Sequence, residues 1–177
     1  MRINLYAGPG AGKTSLAEGI SSKLKIAGYS VELVQEYIKD WAYQKIVPTG
    51  FDQVYVFAKQ LHKEDLLLRY RDHIVTDSPL LLQCCYVLKY GTPFFDELLS
   101  LCKKFEAEHP SINLFLNRAS IPYKPAGRYE TREEALTMDL LICKTLDQLS
   151  IPYMVVDSAD HSGILALVQN LIKDSHE

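Results

Sequence analysis

Five short apolar runs recur along the chain, and a longer stretch with helical spacing of its apolar residues follows each of them. The runs, which predict strands, are Arg2 to Tyr6, Ser30 to Val34, His73 to Thr76, Asn113 to Leu116 and Tyr153 to Val156. The main predicted helices run from about Lys13 to Ala27, from Phe51 to about Arg71, from Pro79 onward, from Thr131 to about Leu149 and up to about Lys173. This alternation predicts an α/β fold of three layers, with a five-stranded parallel sheet in the middle.

Glycine, proline and capping residues mark where these elements end. Gly28 is placed as the C-terminal cap of the first helix, and a polar-aromatic helix is predicted to begin near Glu36. The segment from Asn117 to Tyr129 carries two prolines and a glycine, so we expect a loop there. Thr131 with Glu134 three residues later predicts a capping box. Without a repeat or a linker, we expect one domain over residues 1–177.

Composition narrows the classes of protein that the chain can belong to. Apolar residues make up 47% of it and charged residues 23%, with a net charge of −3, which is typical of a globular domain. No apolar run approaches the roughly 18 residues of a membrane span, so we expect a cytoplasmic protein with no membrane partner. The four cysteines form no metal-ligand spacing, which argues against a zinc site.

The first strand leads directly into AGPGAGKT, from Ala7 to Thr14. A glycine-rich turn of this spacing, ending in Gly-Lys-Thr between a strand and a helix, is the pattern of a phosphate-binding P-loop. Glycines let the backbone N–H groups converge on phosphate oxygens, while Lys13 can reach the β- and γ-phosphates and Thr14 can ligate Mg²⁺. The predicted ATP-binding residues are Gly8, Gly10, Ala11, Gly12, Lys13, Thr14 and Ser15.

A second candidate lies at the end of the third strand, where Ile74 to Thr76 leads into Asp77. In a P-loop fold, such an aspartate holds magnesium beside the loop. We therefore predict Thr14 and Asp77 as the metal site, although an aspartate at a strand end is also a common turn residue.

Arginines mark the loop between the fourth strand and the long helix predicted from Thr131. Phosphoryl transfer gains from positive charge on the migrating group, and Arg128 and Arg132 could supply it from a lid of about residues 118–132. The other reading is a solvated charged helix start. For Arg118, a role facing the nucleotide and a surface role stay open.

Residues after the second strand suggest an acceptor site. Glu36 follows that strand, where a carboxylate can act as general base. Tyr37 and Trp41 lie four apart and could flank an aromatic acceptor, with core packing as the alternative. Gln53 and Gln60 share a helix face, and their amides match the edge of a base, although surface solvation explains many glutamines.

Together, the segments AGPGAGKT, QEYIKDW, FDQVYVFAKQL, VTDSPLL and GRYETREE resemble a group of small P-loop kinases. The group includes thymidylate-kinase-like proteins of bacteriophages, among them 5-hydroxymethyluracil DNA kinases, and the kinase domain of ribosylnicotinamide kinases is similar. The resemblance implies that Gly10, Gly12, Lys13 and Thr14 bind ATP phosphates and magnesium. It also implies that Glu36 and Asp77 face the reaction centre, and that Arg128 and Arg132 belong to the lid.

One departure from the pattern bears on the acceptor. Glu36-Tyr37 stands where thymidylate kinases usually carry an Asp-Arg pair, which favours an acceptor hydroxyl that needs a base. We therefore expect an ATP-dependent kinase whose preferred acceptor is 5-hydroxymethyl-deoxyuridine in DNA, with a strip of Arg118, Lys124, Arg128 and Arg132 to hold the DNA. A nucleoside or nucleoside monophosphate is the second acceptor, and a regulatory switch ATPase is the alternative from another class.

Overall fold

A single five-stranded sheet organises the chain in a computed structural model that describes residues 1–38, 41, 43–46, 48–49, 51–118 and 130–175. Its strands are β1 (Arg2–Tyr6), β2 (Val31–Val34), β3 (His73–Thr76), β4 (Ser111–Asn117) and β5 (Met154–Asp157). They pair in parallel in the order β2-β3-β1-β4-β5. The predicted five-stranded parallel sheet is confirmed.

Helices cover both faces of this sheet. They are α1 (Lys13–Ile26), α2 (Asp52–Leu68), α3 (Leu80–Tyr90), α4 (Phe95–Glu108), α5 (Arg132–Gln148) and α6 (His161–Asp174). On one face, α1 and α6 pack on Ile3 and Leu5 of β1. On the other face, residues of α2 to α5 pack around Tyr6 and Phe115. The three layers follow from these two cores, because successive strand residues point to opposite faces.

The predicted element ends agree with the structure at several glycines and at one cap. Gly28 follows α1 with a φ of 89°, and Gly91 follows α3 with a φ of 64°, the left-handed conformation that favours glycine. Thr131 and Glu134 form the predicted capping box at the start of α5. The helix predicted to begin near Glu36 is wrong in its start, since Glu36 is not helical. The backbone N–H of Glu36 instead donates a hydrogen bond to the side chain of Asp77.

A set of polar side chains, all buried except Glu106, joins β1 to helices α2 and α4. Arg2 forms ion pairs with Glu64, at 3.5 Å, and with Glu106. Glu64 accepts a hydrogen bond from Gln60 Nε2 at 2.9 Å. These contacts give the buried Arg2 guanidinium carboxylate partners, in a place where an unpaired ion would lower the stability of the fold.

Within the described part of the chain, none of the helices has the length and apolar character needed to cross a bilayer.

Candidate active site

Four chain segments leave the sheet at the carboxyl ends of its strands, where sites in open parallel sheets form. The glycine-rich loop follows β1, and Asp77 directly follows β3. Glu36 comes two residues after β2, and Arg118 directly follows β4. The strand order therefore brings together residues that are far apart in sequence.

The loop between β1 and α1 has the backbone that its glycines predict. Gly10 and Gly12 have φ values of 84° and 81°, and Gly12 is the N-cap of α1. Such left-handed residues turn the chain so that N–H groups face a common centre. Ala11 is buried and Ser15 is exposed. The loop thus has the shape of a phosphate cradle at a helix N-terminus.

Lys13 folds back over this loop. Its Nζ donates hydrogen bonds to the carbonyl oxygens of Ala7 at 2.7 Å and Gly8 at 3.0 Å. Burial lowers the pKa of Lys13, and the negative charges of Glu36 and Asp77 oppose that effect. The ammonium group therefore contacts the backbone of the loop and is influenced by the charges of the two carboxylates predicted for the reaction centre.

Asp77 links the loop to the segment after β2. Its Oδ2 accepts a hydrogen bond from Thr14 Oγ1 at 2.6 Å, and its Oδ1 accepts one from the backbone N–H of Glu36 at 2.9 Å. Asp77 is only 2% exposed. The structure thus brings the predicted metal pair, Thr14 and Asp77, into direct contact, with Glu36 beside them.

The donor set of this pair fits a magnesium ion. Mg²⁺ prefers oxygen ligands and is usually held by one or two carboxylates together with substrate phosphates, rather than by a cage of protein groups. Thr14 and Asp77 offer a hydroxyl and a carboxylate beside the cradle. Among the described residues, no group of three or more histidine, cysteine or acidic side chains is arranged so that it could hold a metal ion.

Arg118 lies at the loop, but it is engaged with protein groups. Its Nε and Nη2 donate to the Asp139 carboxylate at 2.6 and 2.8 Å. Its Nη1 donates to the carbonyl oxygen of Pro9 at 2.5 Å. Asp139 also accepts the backbone N–H of Gly8 at 2.6 Å. The Arg118 side chain therefore contacts the backbone of the phosphate loop. The predicted contact of Arg118 with the nucleotide stays a prediction.

The predicted lid is described only at its two ends. Arg128 and Lys124 lie outside the described residues. Arg132 is the first residue of α5 and is exposed. A cation in the first turn opposes the helix dipole, so Arg132 does not stabilise the start of this helix by that effect.

The aromatic residues after Glu36 form a group with a partner from α2. Tyr37 and Trp41 are joined by Tyr55, whose ring stacks on Trp41 with a centroid separation of 6.3 Å. Tyr37 Oη and Tyr55 Oη lie 2.8 Å apart. We call Tyr37, Trp41 and Tyr55 the aromatic group. Tyr37 and Tyr55 are exposed and Trp41 is half-buried. Since Tyr37 is exposed and belongs to neither core, the core-packing alternative for Tyr37 is wrong.

Both predicted glutamines are buried on α2. Gln60 Nε2 donates to Glu64 at 2.9 Å and to Thr76 Oγ1 at 3.2 Å, one residue before Asp77. Its Oε1 has no partner among the described residues. Gln53 is 3% exposed, so surface solvation explains neither residue.

The sequence analysis missed a cluster of Lys89, Glu130, Tyr86 and Tyr90, and it missed Asp139 on α5. Lys89 pairs with Glu130 at 2.6 Å and lies over the rings of Tyr86 and Tyr90. Burial raises the pKa of Tyr86, and the negative charge of Glu36 raises it further. The signal for Asp139 was a lone carboxylate between Met138 and Leu140 in an otherwise apolar stretch of α5.

Comparison with known proteins agrees with this geometry. A family described as an AAA domain matches residues 2–162, while no curated protein sequence matches the chain. Among solved structures, deoxyadenosine kinase from M. mycoides is 19% identical, with a TM-score of 0.58, covering 98% of this chain and 100% of that one. A NadR protein in complex with NAD and AMP-PNP is 12% identical, with a TM-score of 0.72, covering 96% of this chain and 48% of that one.

The chain thus spans about half the length of NadR and the full length of the deoxyadenosine kinase. At these identities the similarity establishes the fold, which is that of the P-loop kinases. The chain belongs to the family of AAA domains and has a P-loop kinase-like fold.

Proposed function

We propose that this protein is an ATP-dependent kinase that transfers the γ-phosphate of ATP to a hydroxyl group of a nucleoside-type acceptor. One observation carries the proposal: Asp77 bonds Thr14 of the phosphate loop with one oxygen and the backbone of Glu36 with the other. A donor site and a candidate base are therefore joined by a single carboxylate.

The donor half of the site is the loop from Ala7 to Thr14. Its N–H groups and the α1 N-terminus take the phosphates, and Lys13 exchanges its two loop carbonyls for phosphate oxygens. Thr14 and Asp77 hold magnesium, which when bound offsets negative charge on the β- and γ-phosphates. The negative charges of Glu36, Asp77 and Asp139 oppose the lowering of the Lys13 pKa by burial.

Glu36 is the better of the two candidate bases. Both carboxylate oxygens of Asp77 already accept hydrogen bonds, from Thr14 Oγ1 and from the N–H of Glu36. Asp77 is therefore committed to holding the metal site together. We assign the proton of the attacking hydroxyl to the side chain of Glu36, which is half-buried and follows β2 by two residues.

The transfer step balances with these groups. The acceptor oxygen forms a bond to the γ-phosphorus as the bond from that phosphorus to the β,γ-bridging oxygen breaks, and ADP leaves with the electron pair. The acceptor proton passes to Glu36. Lys13 and the arginines predicted for the lid, Arg128 and Arg132, stabilise the transferring group by their charge.

The aromatic group supports an acceptor that carries a ring. Trp41 and Tyr55 stack at 17° between their ring planes, and Tyr37 lies edge-on to both. Exposed aromatic faces next to a candidate base suit the stacking of a nucleobase. The similar folds of a deoxyadenosine kinase and a NadR protein that binds NR support a nucleoside-type acceptor. In this arrangement Gln53 and Gln60 of α2 are the candidates for reading the base edge.

For the precise acceptor, a free nucleoside is our first candidate, and 5-hydroxymethyl-deoxyuridine in DNA is the second. The DNA candidate rests on the family resemblance and on aromatic faces that can stack unpaired bases. It needs a basic strip, and one of the four arginines and lysines of that strip, Arg118, is paired with Asp139. This pairing ranks the free nucleoside first. A nucleoside monophosphate is the third candidate.

The test is a transfer assay with γ-labelled ATP and magnesium. Purified protein is incubated with a panel of nucleosides, with their monophosphates, or with single-stranded DNA containing hydroxymethyluracil, and Lys13→Met serves as the inactive control. We expect label in the nucleoside arm. Label only in DNA would move the second candidate to first place. Release of free phosphate without any labelled acceptor would contradict the kinase and favour the switch ATPase.

A further inference from the structure

We infer that Asp139 of α5, together with Arg118, is a positioning residue that sets the shape of the phosphate-binding loop. The inference rests on the proposed function in one respect, that the loop binds ATP. It assigns to Arg118 a different role from the direct contact with nucleotide that the sequence predicts.

The contacts form a closed set around the first half of the loop. Asp139 Oδ1 accepts the Gly8 N–H at 2.6 Å, and the two Asp139 oxygens accept Nη2 and Nε of Arg118 at 2.8 and 2.6 Å. Arg118 Nη1 then donates to Pro9 O at 2.5 Å. One N–H and one C=O of the loop are thus held by a single arginine–carboxylate pair.

The pair is well shielded from water. Arg118 is 10% exposed and Asp139 is 15% exposed, so their interaction is screened less than that of a surface pair. Two parallel N–H···O bonds between a guanidinium and a carboxylate also fix orientation, which a single ammonium group cannot do. The arrangement is therefore suited to hold a backbone in place.

Helix α5 lies close to the loop because Gly8 has no side chain. A Cβ at this position would be 2.5 Å from the carbonyl oxygen of Ala135 and 2.9 Å from Arg118 Nη2. Ala135 and Asp139 are four residues apart and share a helix face. The close approach of α5 and the arginine–carboxylate pair are therefore parts of one contact.

This contact also relates the loop to the predicted lid. Arg132 begins α5 and lies seven residues before Asp139, so it is on nearly the same helix face. Fixing Asp139 against Gly8 fixes the start of α5 relative to the phosphate cradle. Because hydrogen bonds occupy Nε, Nη1 and Nη2 of Arg118, we treat it as a support for the loop.

The test is a double-mutant cycle on ATP binding, which does not depend on the acceptor. Asp139→Asn keeps the size of the side chain but removes the charge and one acceptor oxygen. Arg118→Lys keeps the charge but removes the planar fork. Asp147→Asn, an exposed residue on the same helix, is the matched control. The dissociation constant of ATP with magnesium is measured by calorimetry for all four proteins and for the double variant, well below each melting temperature.

We expect each single variant to weaken ATP binding by about tenfold, the loss typical of one charge-assisted contact. The double variant should bind about as weakly as either single one, because both changes break the same unit. At saturating ATP, the KM for the acceptor should stay near that of the wild type.

Three outcomes would overturn the inference. One is ATP binding as tight as that of the wild type in both single variants, even with lowered melting temperatures, which would leave a purely structural pair. Another is a multiplied loss in the double variant, which would make Arg118 an independent ligand. The third is near-normal ATP binding by Arg118→Lys, which would mean that only the positive charge of Arg118 matters and not its planar fork.

Failure of the proposed function gives a different result. A protein that binds ATP and shows the coupled losses, but labels no acceptor, would contradict the kinase proposal and leave the positioning role in place. A protein that labels an acceptor but shows independent losses would do the reverse. A wild-type protein that does not bind ATP would overturn both.

Discussion

Thr14 and Asp77, which are 63 residues apart in sequence, share a hydrogen bond of 2.6 Å between Thr14 Oγ1 and Asp77 Oδ2. β1 and β3 are parallel neighbours in the sheet, so the residues that follow them meet at the carboxyl ends of the strands. The bond joins the start of α1 to the end of β3. The two oxygens that fit magnesium are thereby held together.

We predict that this pair sets the magnesium requirement of the protein. Asp77→Asn should lower phosphate transfer by about 10- to 100-fold, as expected for a group that supports a metal, and should raise the magnesium concentration needed for half-maximal rate. Thr14→Ser keeps the hydroxyl and should stay close to wild type, while Thr14→Val should behave like Asp77→Asn. Initial rates over a magnesium titration check this. Equal magnesium curves for Asp77→Asn and wild type would remove Asp77 from the metal site.

Glu36→Gln should separate chemistry from binding. Loss of a general base lowers kcat by about 10²- to 10⁴-fold, while the amide retains the size of the side chain and the Glu36 N–H bond to Asp77. The dissociation constant of ATP should therefore change little. Glu97→Gln, an exposed change on α4, is the control. If Glu36→Gln turned over at the wild-type rate, Glu36 would not be the base that takes the proton of the attacking hydroxyl.

The strands and the cradle were predictable because each depends on local sequence. Short apolar runs bounded by turn residues specify the strands, and the loop from Ala7 to Thr14 carries its glycines in one continuous segment. The same holds for Thr131 with Glu134, whose capping box spans a single helical turn. The position of Asp77 was also predictable from the sequence, because this residue ends an apolar strand at a fixed place in the fold.

The contacts that were missed join residues distant in sequence. Asp139 reaches Gly8 across 131 positions, and Lys89 reaches Glu130 across 41, so neither leaves a local pattern. Glu36 was assigned to a helix start because helical spacing of Tyr37 and Trp41 suggested one, whereas its N–H is used by Asp77. Such tertiary hydrogen bonds override local propensity.

Binding of the acceptor should be visible in the fluorescence of Trp41, the only tryptophan in the chain. Its ring stacks on Tyr55, so a nucleobase that joins the aromatic group should alter its emission. Tyr55→Leu should weaken acceptor binding by roughly tenfold, the value of about one stacking contact, with Tyr43→Phe as an exposed control outside the group. Emission that does not respond to any accepted substrate would place the acceptor away from Trp41.

Two glycines should respond in opposite ways to the same substitution. In Gly8→Ala, the new Cβ would meet the backbone oxygen of Ala135 at 2.5 Å, so we expect a loss of about 1–3 kcal/mol in unfolding free energy from overpacking, with weaker ATP binding. Gly19 lies within α1 and a Cβ there meets nothing within 4 Å. Gly19→Ala should therefore stabilise the protein by about 0.5–1 kcal/mol. Urea denaturation measures both, and a tolerated Gly8→Ala would show that α5 can move away from the loop.

Glu64 should make the stability of the protein depend on pH. Burial raises the pKa of Glu64 to about 7, and the nearby charge of Arg2 opposes this effect. The folded protein therefore holds a proton on Glu64 that the unfolded chain, with an ordinary glutamate pKa, has already lost. Between about pH 4.5 and pH 7 this group makes the free energy of unfolding fall as pH rises, by at most about 1.4 kcal/mol per pH unit.

Glu64→Gln removes this titration and keeps an amide of the same size beside Arg2 and Gln60. The slope of unfolding free energy against pH should then be flatter in the variant over that window. The pH-dependent difference between the two proteins should grow up to about pH 7 and level off above it, where the wild-type carboxyl is ionised in both the folded and the unfolded state. Urea denaturation at half-unit steps from pH 5 to pH 8 measures the slope, with exposed Glu97→Gln as control. Parallel slopes for Glu64→Gln and wild type would mean that Arg2 keeps Glu64 ionised throughout, as a buried ion pair.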